Sequence, residues 1–561
     1  MNHHLNLRSK LIIMISVMAS LFLVALDQTI ISTALGKIVQ EFNAFSSLSW
    51  IVTAYLITTT ITVPIAGKLS DLFGRRNILL IGVAIFAIGS LLSGTSADVG
   101  QLILWRAVQG IGGGIITANA FTIVGDLFAA RERGKWQGLI GAVFGISSVI
   151  GPLLGGFLTD SHNFFGLITD WRWTFFINIP VGIAAFTIIA IFCPPLKHDK
   201  KPRVDYVGAA LLVLGLGTLI LAVDNTESIF KDVMTTLSLS LAELRVIMFA
   251  IVAISVGTLI WVEKRVKEPI IDLNFFKNRN FLLIMGIATL VGAAMLGSIL
   301  YLTQFNQQVF GASPTESGLM LLPMIGGLMA ASITTGQLVS RIGKYKRFMT
   351  IGFIVGTVSL ALLTTLTPTS PFIQEALIMV GVGIGIGVAM PLLTIAVQAE
   401  FSQEDLGQAT SSSQLFRGLG STIGTAVFGS MLTMGIVAAL PDMHQDAYLQ
   451  SLSQSSEVKK LGDLYDPNTL LNVNTPTMKK LASDGVQQQV KNLPTPVAKK
   501  ATDTFNSNQQ TFSDKIVNAF AKSMHSVFIV TSGLMGVGLI LTLFIKERVL
   551  RSASPEQTPG E

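Results

Sequence analysis

Fourteen runs of mostly apolar residues constrain this 561-residue chain more than any other feature. About 20 apolar residues in a helix cross the hydrocarbon core of a bilayer, which is roughly 30 Å thick. Lipid cannot hydrogen-bond the backbone, so each run is predicted to be a helix. The runs cover residues 11–34, 48–67, 78–96, 101–125, 136–158, 174–193, 206–223, 244–262, 281–305, 318–340, 349–367, 373–398, 412–440 and 524–545.

Composition supports a membrane protein. Half of the residues are hydrophobic, 13% are charged, and the mean hydropathy is +0.62. A net charge of +6 would suggest nucleic acid in a soluble protein, but here most Lys and Arg residues lie in short loops between the apolar runs. We therefore expect a lipid bilayer as the partner and no nucleic acid. The first run is too long for the apolar part of a signal peptide and predicts a membrane helix.

The distribution of basic residues predicts the orientation. One set of alternate loops carries nearly all the Lys and Arg, and the short loops of the other set carry few. Basic loops remain on the cytoplasmic side. An even number of helices then places both termini in the cytoplasm, and the expected location is the plasma membrane of a bacterium.

The sequence also repeats internally. A constant offset of 273 residues aligns Gly110, Gly112 and Gly151 with Gly383, Gly385 and Gly424. Runs 1–6 thus match runs 9–14, and runs 7 and 8 match nothing else, which predicts an all-α polytopic membrane protein with two pseudo-symmetric six-helix bundles and two inserted helices. The expected divisions are an N-terminal bundle (1–195), the inserted pair (196–270), C-terminal helices 9 to 13 (271–440), a long external loop (441–523), and the last helix with its tail (524–561).

A short motif, GKLSDLFGRR at 67–76, joins the second and third runs. Its glycines permit a tight turn, a lone carboxylate sits between them, and two arginines follow. The motif resembles the best-known signature of the major facilitator superfamily. In that family the matching Asp contacts the positive N-terminal end of a helix in the other half, here expected near Ser411, and the contact gates the cytoplasmic side. The resemblance implies gating residues Gly67, Asp71, Gly74, Arg75 and Arg76.

Two charged residues lie inside apolar runs. Asp27 is the only acid in run 1, and Arg106 falls at a similar depth in run 4. Unpaired charges there are costly, so both are expected to face a cavity or each other. One interpretation is that Asp27 alternates between its protonated and ionised forms and couples transport to protons; the other is a fixed buried ion pair. The surrounding LDQTI resembles the signature of the fourteen-helix drug/proton antiporter branch of the family.

Run 5 contains the sequence GISSVIGPLLGG. A proline inside a helix kinks it and frees a carbonyl, and glycines let a neighbouring helix approach. The stretch resembles the motif typical of antiporters in the superfamily, although a purely structural kink is the alternative. The residues concerned are Gly151, Pro152, Gly155 and Gly156.

Polar side chains within the runs are candidates for a substrate cavity, with interhelical hydrogen bonding as the alternative. They are Tyr55, Asn119, Gln304, Gln307 and Gln308. The polar stretch 441–522 is external by topology, and two interpretations are open for it: a partly disordered loop, or a small ordered cap. Residues 510–523 are predicted to extend the last helix as an amphipathic helix.

Other chemistries lack a motif. The phosphate-binding pattern GxxxxGK[ST] does not occur, so the proton motive force is the expected energy source and no cofactor is expected. The single Cys193 and the scattered histidines predict neither disulfides nor a metal site. No constellation of residues indicates an enzyme.

Together these features predict a monomeric proton-coupled antiporter that exports small lipophilic, cationic drugs or toxic compounds by alternating access. Three alternatives remain open: an exporter of lipids or lipid-linked molecules with the same fold, an uptake symporter, and a non-transporting receptor or scaffold.

Overall fold

The computed structural model describes residues 6–42, 48–159, 163–164, 167–193, 204–223, 226–312, 314–440, 443–452, 467–491 and 494–550. Fourteen helices in this part are long and apolar enough to cross a membrane, which confirms the predicted number. Numbered in chain order from helix 1 to helix 14, they are Leu7–Phe42, Leu48–Phe73, Arg75–Gly94, Val99–Leu127, Arg133–Thr159, Trp173–Phe192, Tyr206–Val223, Leu241–Glu263, Arg279–Gln308, Glu316–Ile342, Lys346–Leu362, Phe372–Gln398, Leu406–Ala439 and Thr495–Phe544.

Short elements connect the helices. Asn163–Phe164 and Leu167–Ile168 form a two-residue antiparallel ladder between helices 5 and 6. Thr226–Leu237 is an amphipathic helix between helices 7 and 8, and a 3-10 helix, Leu273–Lys277, precedes helix 9. Because the number of spans is even, helix 1 begins and helix 14 ends at the same end of the bundle, which we call the terminal face; the other end is the far face.

The helices pack as two groups. Helix 4 packs against helices 2 and 3, and helix 1 against helix 5; in the second group helix 12 packs against helices 10 and 11, and helix 9 against helix 13. Helices 5 and 10, and helices 2 and 13, join the groups. Helices 7 and 8 pack on each other, and helix 7 contacts helix 2.

The repeated glycines occupy matching contacts. A Cβ atom at Gly110 would overlap helix 2, and one at Gly383 would overlap helix 10. One at Gly112 would overlap helix 3 near Phe86, and one at Gly385 would overlap Gly356 of helix 11. The aligned glycines therefore allow the same close approach of helix 4 and helix 12 to their neighbours.

The polar stretch before helix 14 is ordered where the structure describes it. Short helices Ala447–Leu452 and Pro476–Val490 pack against the first part of helix 14, and the short helix Pro467–Val473 packs against helix 13 and Pro476–Val490. Their shared core includes Tyr448, Leu449, Val473, Phe505 and Phe512. These residues form a small cap on the far face, which favours the ordered interpretation; residues 453–466 lie outside the described part.

Helix 14 is longer than its apolar run indicates. The predicted amphipathic extension over 510–523 is confirmed, and the helix continues back to Thr495, 50 residues in all. At 1.5 Å per residue it is about 75 Å long, more than twice a bilayer core.

Candidate functional site: a buried ion pair and an interhalf gate

Asp27 and Arg106 meet inside the N-terminal group of helices. The Arg106 guanidinium donates to Asp27 Oδ2 at 2.5 Å, and both side chains are 1% exposed. The guanidinium carbon also lies 4.3 Å from the centre of the Tyr55 ring. Of the two sequence expectations, facing each other or facing a cavity, the structure has the first. Tyr55, a candidate cavity residue, is buried against this pair.

Two amide side chains complete the surroundings of Asp27. Gln109, one turn after Arg106, accepts from Arg106 at 2.8 Å and donates to Asp27 Oδ1 at 2.9 Å. Asn178 of helix 6 donates to the same oxygen at 3.3 Å and to Ser90 at 3.0 Å. The carboxylate thus has one cation and two neutral donors. Sequence reasoning missed both amides, although the i, i+3 spacing of Arg106 and Gln109 places them on one helix face.

The glycine- and proline-containing stretch of helix 5, residues 151–156, contacts helix 1 beside Asp27. A Cβ atom at Gly151 would overlap the Thr29 hydroxyl, which donates to the carbonyl of Ser147 at 3.0 Å. Pro152 lies inside helix 5, as predicted, and Gly155 is buried. Gly156 differs from the expectation of close approach, because a Cβ there would meet no atom within 4 Å among the described residues.

The motif at 67–76 connects the two groups of helices at the terminal face. Asp71 Oδ2 accepts from the backbone N–H of Gln408 at 2.9 Å. Helix 13 begins at Leu406, five residues before the predicted start, so this N–H belongs to its first turn, where donors lack a helical partner and the helix dipole favours an anion. Arg75 pairs with Asp71 and, at 2.8 Å, with Asp126.

The glycines of this motif have distinct roles. Gly74 has φ 93°, a left-handed conformation that glycine adopts without strain. A Cβ atom at Gly67 would overlap the Ser411 side chain, so this glycine lets helix 2 touch helix 13. Arg76 lies apart from the contact with helix 13 and donates to the carbonyl of Ala190 in helix 6.

Further contacts hold the halves together at the terminal face. Arg131 donates to the carbonyl of Ser340 at 2.8 Å, and a Cβ at Gly134 would overlap the backbone of Gly336. The amide of Gln398, in helix 12, donates to the carbonyl of Phe121, in helix 4, at 3.1 Å. This layer of small residues and hydrogen bonds closes the terminal face.

The inserted pair also reaches this gate. Lys68, next to Gly67, forms a 2.7 Å ion pair with Glu268, just after helix 8. The Gln408 amide donates to the carbonyls of Pro269 and Ile270 at 2.9 and 2.8 Å. The segment after helix 8 therefore touches one residue from each half beside the Asp71–Gln408 contact.

The remaining candidate cavity residues lie in two different places, one inside helix 4 and the other at the far-face end of helix 9. Asn119 is buried, and its amide donates to the carbonyl of Ile115 in its own helix at 2.9 Å. The three glutamines of helix 9 line a cavity of about 390 Å³ together with helices 13 and 14 and the cap residues Leu471 and Thr475. Gln307 also donates to Ser317 at 3.0 Å. These glutamines thus lie beneath the cap on the far face.

Comparison with known proteins identifies the family. The model of the Major Facilitator Superfamily matches residues 17–425. The chain belongs to the major facilitator superfamily. The family assignment agrees with the gating motif and with the paired six-helix groups.

Relatives indicate a branch within the family. The transporter is 35% identical over 544 residues to the multidrug transporter protein MdtP of Bacillus subtilis, covering 96% of this chain and 93% of the relative. It is 32% identical over 453 residues to multidrug resistance protein 3 of the same organism, covering 80% and 85%. The solved proton:xylose symporter XylE has a TM-score of 0.59 at 14% identity, covering 97% and 98%, a likeness of fold alone.

Proposed function

We propose that this transporter is a proton-coupled antiporter that exports lipophilic, cationic compounds from the cytoplasm. Membership in the superfamily and multidrug relatives at 35% and 32% identity support drug efflux. The observation that carries the coupling is the buried network around Asp27, because an ionisable group placed at such cost inside a membrane is usually functional.

The proposed mechanism is alternating access. Basic loops favour a cytoplasmic terminal face in the plasma membrane, so the Asp71–Gln408 contact closes the cytoplasmic side in the described conformation. An external proton would neutralise Asp27 and weaken its ion pair with Arg106. Thr29, two residues away, contacts helix 5 at Gly151, so a shift of helix 1 would act directly on the helix that contains Pro152. Proton release to the cytoplasm would follow substrate loading.

The test is ethidium efflux from proteoliposomes energised by an imposed pH gradient. We expect wild-type protein to export ethidium, Asp27→Asn to fall to the background of empty liposomes, and the exposed-acid control Glu227→Gln to match wild type. Efflux that continues unchanged after the gradient is dissipated would contradict proton coupling. Substrates of different charge in the same assay test the preference for cations.

A lipid exporter is the second candidate, favoured by the cavity beneath the cap. Its wall combines the glutamines with the apolar side chains Leu432, Ile436 and Phe520, a mixture that suits an amphipathic cargo. Lipid accumulation in a deletion strain, without sensitivity to drugs, would favour this candidate over drug export.

A further inference from the structure

A second buried acid lies in the C-terminal half, outside the network described above. Glu375, in the first turn of helix 12, is 0% exposed. The side-chain amide of Asn306, in helix 9 and also 0% exposed, faces the Glu375 carboxyl group, and the amide orientation that satisfies both groups places its nitrogen 2.6 and 3.2 Å from the two oxygens. Helices 9 and 12 correspond to helices 1 and 4 in the repeat, so this pair occupies the helix pair that matches Asp27 and Arg106.

Glu375 differs from Asp27 in having no cation beside it. Among the described residues it takes part in no ion pair, and the Asn306 amide is its hydrogen-bond partner. Helices 5, 9, 10, 11 and 13 pack against helix 12. Charged and titratable groups near the far-face ends of the described elements in this region include the exposed Glu316, which begins helix 10, Tyr301 of helix 9, and Lys522 and His525 of helix 14. The His525 ring bonds the carbonyl of Leu366 at 2.7 Å.

An amide can serve both forms of a carboxyl group. With its nitrogen toward Glu375, the Asn306 amide donates to the carboxylate, and the positive end of helix 12 also favours the anion. After half a turn of the amide, its oxygen faces Glu375 and accepts a hydrogen bond from the protonated acid. Arg106, which has only donors, cannot serve Asp27 in this second way.

A cavity at the far face lies close to the pair. A cavity of about 390 Å³ is lined by Ala312, Glu316 and Phe372, among other residues. The backbone N–H of Ala312 donates to the carbonyl of Asn306 at 3.1 Å, and Phe372 lies one turn before Glu375 in helix 12. The cavity is large enough for water, and it carries an exposed carboxyl group on its wall.

We propose that Glu375 and Asn306 form a second proton-binding site, loaded from the far face through this cavity. Its part in coupling rests on the proposed function, whereas the site itself is testable without transport.

Infrared difference spectra of the full chain in lipid bilayers, recorded between high and low pH, test the site. We expect a carbonyl-stretch band of a protonated buried carboxyl group that is lost in Glu375→Gln and kept in Asp27→Asn and in the exposed control Glu227→Gln. In Asn306→Leu the band should remain but shift in frequency, because the carboxyl group loses its hydrogen-bond partner. A Glu375→Gln spectrum identical to wild type, or an unshifted band in Asn306→Leu, overturns the proposal.

Proton release on ethidium binding, followed with a pH dye in weakly buffered solution, separates this inference from the proposed function. Fewer protons released by Glu375→Gln than by wild type supports a coupled second site. If wild type and Glu375→Gln release equal numbers, the coupling role of Glu375 fails while proton-coupled export stands. If wild type releases none although the infrared band depends on Glu375, the site stands and the proposed function fails.

Discussion

The two halves bury a carboxyl group in matching helix pairs but balance it differently. Helices 1 and 4 hold Asp27 against the Arg106 guanidinium, with both charges removed from solvent. Helices 9 and 12 hold Glu375 against the neutral amide of Asn306. Under the 273-residue offset Glu375 aligns with Leu102, so it lies about 6 Å nearer the far face than the position of Arg106. The same scaffold therefore supports a charge-balanced acid in one half and an acid without a countercharge in the other.

This difference indicates that loss of the partner should destabilise the protein more at Asp27 than at Glu375. Removal of one member of a buried ion pair leaves a charge that the surroundings cannot compensate. Removal of an amide leaves a carboxyl group that can take up a proton and become neutral.

The largest expected effect is on stability when each partner is replaced. We expect Arg106→Leu to lower the free energy of unfolding by about 3–5 kcal/mol and Asn306→Leu by roughly 1–3 kcal/mol. Thermal unfolding of the purified protein measures both variants, and Asp27→Asn combined with Arg106→Leu should recover part of the first loss. Equal losses of unfolding free energy in Arg106→Leu and Asn306→Leu would show that the two acids do not differ in how much they depend on their partners.

The gate offers a second comparison between the halves. The motif at 67–76 recurs in weakened form from Gly336, with Ser340 of helix 10 in the place of Asp71. Among the described residues, the Asp71 side chain bonds the start of helix 13, and no such bond from the Ser340 side chain is seen. Asp71→Asn should weaken closure of the terminal face by about 1.5–3 kcal/mol, the range for hydrogen bonds to a charged group, whereas Ser340→Ala should leave it unchanged because Arg131 bonds the Ser340 backbone carbonyl.

Thiol labelling can measure this closure. Cys193 is the only cysteine, so Cys193→Ser provides a background for Ser411→Cys, a position that is 1% exposed under the closed gate. Faster labelling in Asp71→Asn and unchanged labelling in Ser340→Ala is the expected result. Similar rates in both variants would show that the contact with helix 13 does not hold the gate.

The smallest expected effect is on the pH dependence of stability, and it concerns the acids at the terminal-face ends of helices 4 and 12. Asp126 pairs with Arg75, whereas Glu400, just after helix 12, accepts from Asn280 at 2.7 Å, from Asn278 at 3.0 Å and from Arg548 at 3.2 Å. Burial favours the neutral acid of Glu400, but these hydrogen bonds outweigh burial and hold its pKa below the usual range.

A lowered pKa in the folded state stabilises the protein above the unfolded pKa, which is about 4.3 for Glu, and this contribution disappears as the pH falls through the folded pKa. The melting temperature of wild type should therefore fall more between pH 7 and pH 4 than that of Glu400→Gln. Equal falls in both proteins would show that Glu400 adds no pH-dependent stability.

Much of the fold follows from the sequence because lipid permits few alternatives. The fourteen runs, the internal repeat and the contact between Asp71 and the start of helix 13 were all predicted from apolar length, an offset and a motif. Charge alone indicated that Asp27 and Arg106 face either a cavity or each other, since an unpaired charge is expensive in a membrane, and the structure has the second arrangement.

Other features of the site and of the cap cannot be predicted from any pattern in the sequence. Gln109 and Asn178 are ordinary amides until the fold places them on Asp27, and Glu375 meets an amide about seventy residues earlier in the chain, with no spacing that predicts it. The sequence alone does not decide between a disordered loop and an ordered cap, because the polar composition of this stretch fits either one. Its core depends on contacts such as Tyr448 with Phe512, which are distant in the chain.

Helix 14 connects the membrane bundle to the cap as a single helix. It packs against helices 9, 11 and 13 within the bundle and continues without interruption into the cap. In an uninterrupted helix of about 75 Å, a tilt of the part inside the bundle displaces the tip by a distance that grows with the helix length. A probe attached to the cap would therefore report from outside the membrane how the half within it is tilted.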